Sequence, residues 1–135
     1  MRNRELSRDY ARRAEARLRA LDVLFDAESW ADVVRESQEV VELALKALLR
    51  SAGIDPPRVH DVGDVLQAES ARMPPAIVPQ IETLAAASRE LRRDRELAFY
   101  GAEDFTPSAF YRRENAVAAR DAARMVVAAV RPHIE

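Results

Sequence analysis

Few side chains in this sequence could do chemistry, and most of those are cations. There are two histidines, His60 and His133, and no cysteine. Imidazole exchanges a proton near neutral pH. His60, in the run Val59-His60-Asp61-Val62, is therefore suited to acid–base work or to holding a phosphate. A helix cap or an inter-helix hydrogen bond would use the same residues and is the more ordinary role. His133 follows Pro132 and reads as a solvated tail residue. Two histidines so far apart, with no thiolate, form no metal-ligand pattern.

Lys46 is the sole lysine among 21 basic residues. The guanidinium fork suits phosphate oxygens, although a coding bias toward Arg and Ala accounts for the same composition. Glu42 and Lys46 stand four residues apart, in the favourable order for a helical ion pair. They lie among Val41, Leu43, Leu45 and Leu48, where an unpaired buried ammonium would cost roughly several kcal/mol. Lys46 must therefore pair with Glu42, reach solvent or meet an anion.

The densest basic run is 88–95, where Arg89 and Arg93 are one helical turn apart and Tyr100 follows. Such a set could hold a phosphate and stack on a base. Neutralised by Glu90, Asp94 and Glu96, it could equally be a solvated face. In an antiparallel bundle, Lys46, His60, Arg89 and Arg93 would converge on one polar anion-binding groove, with Tyr100 nearby. In the alternative arrangement Lys46 snorkels to solvent and the arginines face elsewhere. No nucleophile triad and no glycine-rich phosphate loop accompanies these residues.

The elements that must position them are helical. The apolar period is three to four residues throughout, with no strand-like alternation. Helices are expected near 4–25, 29–52, 61–68, 79–99 and 108–130. The first carries the stripe Leu6, Tyr10, Ala14, Leu18, Leu21 and Phe25. The second opens at Ser29, where Ser29 and Asp32 suggest a capping box, and closes before Gly53, a natural residue just past a helix end. Pro56 and Pro57 prevent its continuation. The short third helix turns Val62, Val65 and Leu66 inward, and the fourth Ile81, Leu84, Ala85, Ser88 and Leu91. The fifth has a small-residue face of Ala118, Ala119, Ala122, Ala123 and Ala129, which permits close helix approach. Residues 102–110 read as a loop with aromatic anchors.

Composition bounds the rest. The 135 residues fit one domain, 1–135. A net charge of −2 with 33% charged residues indicates ion-paired helix faces rather than the basic surface of a strong nucleic-acid binder. No apolar run approaches the roughly 18 residues that span a bilayer. The opening Met1-Arg2-Asn3-Arg4-Glu5 leads into no apolar signal core. The expectation is a cytoplasmic chain with no membrane segment, no disulfide and no cofactor. The 48% hydrophobic content suggests apolar surface left over for symmetric pairing, hence a homodimer.

The run from Ser37 to Leu49, then Gly53, the Pro56-Pro57 turn and Val59-His60-Asp61-Val62 closing on Leu66, resembles the HEPN domain family (higher eukaryotes and prokaryotes nucleotide-binding). That family shows a similar Q-A-x-E-x-x-x-K-A-L-L helix, then a glycine, then H-D-L and a short helix. The resemblance is strong over about residues 10 to 70 and looser beyond. It implies an all-α, up-and-down antiparallel bundle of four to five helices, commonly a homodimer. Many members are RNases, often toxins beside a small nucleotidyltransferase. Their catalytic signature is an Arg followed, after four to six residues, by a His, which together supply proton transfer and phosphate charge in one cleft. That spacing is absent here: Arg50 stands too far before His60, Arg58 too close, and Arg124 too far before His133. The resemblance thus implies a non-catalytic branch, a module that binds a nucleotide or RNA or docks a partner nucleotidyltransferase. Two rivals are a metal-independent RNase that joins His60 to Arg89 or Arg93 in space, and a purely structural interaction domain.

Overall fold

Helix α2 (Trp30–Ser51) is apolar on almost every side, so almost every side must be covered. Val33, Val34, Val40, Val41, Leu45, Leu48 and Leu49 are all fully buried. The computed structural model describes residues 2–58, 61–100 (the helix path alone from 94 to 100) and 110–135. In it α1 (Arg2–Asp26), α4 (Ile81–Tyr100) and α5 (Arg113–Val130) all pack on α2, and the short α3 (Val62–Ala68) lies on α4. Among the described residues there is no strand.

Side-chain bonds fix the direction of α1 against α2. Ser7 Oγ donates to the Ala47 carbonyl at 2.8 Å, Arg17 pairs with Glu36 at 2.6 Å, and Arg50 donates to Asn3 at 2.9 Å. Partners rise in number on one helix as they fall on the other, so the pair is antiparallel. On the flank between α1 and α5, Asp22 accepts from Arg120 at 3.3 Å and from Arg124 at 3.2 Å. The Arg120 guanidinium lies 3.7 Å from the centre of the Phe25 ring, which meets Trp30 edge-on. That stacking accounts for an arginine held mostly out of water.

The turns follow local chemistry. Gly53 adopts φ +77°, a left-handed conformation that glycine takes without a Cβ clash. Its N–H bonds to the Arg50 carbonyl, and that of Ile54 to the Leu49 carbonyl, so the last carbonyls of α2 are satisfied. Glu28 plays the same part after α1, at φ +58°. The Ser29 capping box does not form. Ser29 Oγ donates instead to the Asp32 carboxylate at 2.6 Å, which removes it from the backbone N–H it would have capped.

Asp61 does cap its helix. Its Oδ1 accepts from the Gly63 N–H at 2.8 Å and from Ser88 Oγ of α4 at 3.2 Å. One carboxylate oxygen thus starts α3 and ties it to α4. Asp61→Ala is expected to lower stability by about 0.5–2 kcal/mol, the usual cost of losing such a cap, and Asp61→Asn by much less. Urea unfolding checks this, and equal midpoints for the two variants would refute it.

Two boundaries differ from expectation. A 3₁₀ turn at Val78–Gln80, with Pro79 inside it, precedes α4, and α5 begins at Arg113 rather than near 108. Of the expected small-residue face, Ala119 and Ala123 are buried, whereas Ala118 is exposed and Ala122 half-exposed. The side of α5 that enters the core is instead Ala116, Ala119, Ala123 and Val126. Phe110 packs edge-on against the buried Tyr111, and the rest of the expected aromatic loop lies outside the described residues.

Candidate anion-binding surfaces

The polar edge of α2 is one line of residues, Glu39, Glu42, Lys46 and Arg50, spaced so that all emerge on the same side. Lys46 Nζ lies 3.5 Å from Glu42, and both side chains keep about a quarter of their surface, 26% and 22%. Gln38 Nε2 donates to the other Glu42 oxygen at 3.2 Å. The carboxylate is therefore held between a buried amide and a half-buried ammonium. Of the three options for Lys46, pairing with Glu42 is the one observed.

Arg89 turns toward α3, donating to Gln67 at 3.0 Å and to Asp64 at 3.4 Å. Arg93 is exposed on the same helix. His60 and the Tyr100 side chain, two members of the expected Lys46, His60, Arg89, Arg93 and Tyr100 set, lie outside the described residues. Lys46 and Arg89 each carry their own acidic partner, on α2 and on α3 respectively.

A second cationic surface was not anticipated from the sequence. A cleft of about 340 Å³ opens where the start of α1, the end of α2 and the C-terminal turn meet. Asn3, Arg4 and Ser7 line it from α1, Arg50 and Ser51 from α2, and His133 closes it. His133 is thus no free tail residue. The 3₁₀ turn Arg131–His133 continues α5 and carries the imidazole, half-buried, into this cleft. Arg50 is the most enclosed cation there, its side chain 19% exposed. Its Nη1 reaches Asn3 and, at 2.7 Å, Asp55, while its Nε is buried with no hydrogen-bond partner. Arg4 binds the Glu135 carboxylate and Arg8 donates to the Glu135 carbonyl, so an oxyanion already sits at the cleft's edge. Two guanidinium groups and one imidazole surround one opening, the arginines paired at present with the exposed carboxylates of Glu135 and Asp55, whose places a phosphate could take. The sequence signal was weak, because these residues stand 40 or more positions apart.

Among the described residues no group of three or more His, Asp or Glu is placed to hold a metal ion. No described helix is long and apolar enough to cross a membrane. The HEPN domain family model matches residues 7–133. No curated protein matches the chain, and no solved structure does.

Proposed function

Because the chain belongs to the HEPN domain family, a family of nucleotide-binding and RNase-type modules, we propose that it binds nucleotide phosphates in the cleft between Arg4, Arg50 and His133 without cleaving RNA. The observation that carries this reading is Arg50. A mostly buried guanidinium lines the cleft, its carboxylate partner Asp55 is solvent-exposed, and a phosphate oxygen could take that partner's place. Ser51 and Asn3 add polar groups at the rim, and the half-buried imidazole gives a flat surface beside a base or sugar.

The test is calorimetry with ATP alongside a gel shift with mixed cellular RNA. Wild type binds at least one of them. Arg50→Gln, which removes the charge and leaves a shorter polar side chain, weakens binding about ten- to a hundredfold, the worth of about one hydrogen bond to a charged group. Unchanged binding in both Arg50→Gln and Arg4→Gln would move the site to the Lys46, His60, Arg89, Arg93 and Tyr100 set. Lys46→Gln and Arg89→Gln then test that set. Binding to neither ligand would leave the purely structural role.

One observation favours a second reading. His133 and two arginines share a cleft, which is the pairing of groups that RNA cleavage uses. No Arg precedes this histidine at the family's spacing. Non-cleavage is therefore the expected result on a denaturing gel. RNA cleavage lost in His133→Ala or in His60→Ala would establish the enzyme instead. The family's habit of pairing supports a homodimer as well, and docking of a nucleotidyltransferase remains part of the same proposal.

A further inference from the structure

Helices α4 and α5 both lean on α2 yet stand apart from each other, leaving a groove of about 500 Å³ between them. Its walls are two straight ridges. On α4 the ridge is Glu82, Ala86 and Glu90, at steps of four; on α5 it is Asn115, Ala118, Ala122 and Met125, at steps of three and four. Alanines keep both ridges low, so another backbone can come close. Met125 is 36% exposed beside them, a flexible apolar side chain able to adapt to what lies on it.

The charged side chains that line the groove itself are all acidic, Glu82 and Glu90. No Arg, Lys or His lines it among the described residues. The arginines of α5 turn the other way, toward α1: Arg113 and Arg120 lie over Phe25, and Arg124 reaches Asp22. Glu114 and Asp121 flank the outer side of α5 with Arg113 beside them, and Arg124 lies 4.0 Å from Asp121. On the opposite wall Glu82 and Glu90 have no ion-pair partner among the described residues. They stand eight residues apart, about 12 Å along the helix.

We propose that this groove docks one α-helix of a partner protein, amphipathic and basic. Its apolar residues, at i, i+3 or i+4, and i+7, lie over Ala86, Ala118 and Ala122. Its Lys or Arg residues, seven or eight positions apart, meet Glu82 and Glu90. Helix-in-groove recognition takes its affinity from such apolar anchors, and the acidic rim selects the sign of the partner. The surface is separate from the Arg50 cleft, and its test uses no nucleotide, so either proposal can fail alone.

The probe is a fluorescein-labelled 18-residue helical peptide of Leu, Ala and Lys, with Leu at those positions and Lys on the flanks. Its control carries Glu in place of every Lys. Fluorescence anisotropy with the full chain is expected to show the Lys peptide binding at least tenfold more tightly than the Glu peptide. The double variant Glu82→Lys, Glu90→Lys reverses that order. Ala118→Trp, at an exposed position, fills the groove without changing charge and removes binding while helix content and Tm hold. Equal affinity for the two peptides, or full binding by Ala118→Trp, overturns the proposal. So does a wild-type chain that sediments as a dimer and is split into monomers by Ala118→Trp, since the occupant is then a second copy.

Discussion

Leu45→Ala is expected to destabilise the protein by about 2–5 kcal/mol, the range for removing a fully buried leucine. Leu45 lies at the middle of α2, with no exposed surface, where α1, α4 and α5 all press on the same helix. Three packed neighbours cannot all move inward, so the cavity stays largely open and the upper half of the range applies. A domain of this size holds about 5–15 kcal/mol in total, so the loss is a large share of it and lowers Tm on the order of 10 °C. Val23→Ala is the matching control. Val23 is 71% exposed on the outer face of α1, and its truncation should change stability by no more than about 0.5 kcal/mol. Urea titration of both variants measures this. A loss under about 1 kcal/mol for Leu45→Ala would mean that α2 is not the helix the others depend on.

Gly63→Ala should destabilise by about 1–2 kcal/mol, and here two effects of opposite sign compete. Alanine is the better helix former, worth about 0.5–1 kcal/mol. Against that, the added Cβ would lie 3.0 Å from the Ala85 carbonyl oxygen, 3.1 Å from Ala85 Cα and 3.2 Å from Asp61 Oδ1. Two of these atoms are backbone of α4 and cannot rotate away. The third is the capping carboxylate, which would have to leave the Gly63 N–H it accepts from. Overpacking of a tight contact costs about 1–3 kcal/mol, so sterics win. Gly63→Val, larger and β-branched, should cost more still. Thermal melts and amide exchange within α3 decide the matter, with faster exchange at Val65 and Leu66 expected. A Gly63→Ala protein more stable than wild type would show that α3 stands further from α4 than the geometry here.

Four of the residues that carry the family resemblance have visible roles. Glu42 and Lys46 form the polar edge that a nearly all-apolar helix needs to place itself in the bundle. Gly53 stops that helix, and Asp61 starts the next while binding Ser88. Gly53 and Asp61 read strongly in the sequence because each solves a backbone problem within a few residues, and Glu42 and Lys46 because they stand one helical turn apart. Folding alone accounts for these four residues, apart from any ligand.

The sequence by itself determined the all-α class and five helices close to their observed spans. It also determined the inward residues of α4, since Ile81, Leu84, Ala85, Ser88 and Leu91 are all buried. Helical periodicity and turn residues act over a few positions, so they can be read from a few positions. Only the tertiary structure decided which side of an alanine-rich helix meets the core. Alanine packs inside or sits in water at little cost, so the pattern of α5 did not distinguish Ala119 and Ala123 within from Ala118 and Ala122 at the groove. Only the tertiary structure, too, brought Arg4, Arg50 and His133 to one cleft and turned Arg89 toward Asp64. Long cationic side chains reach partners far off in the chain, and their direction follows from how helices stack, which no local spacing records.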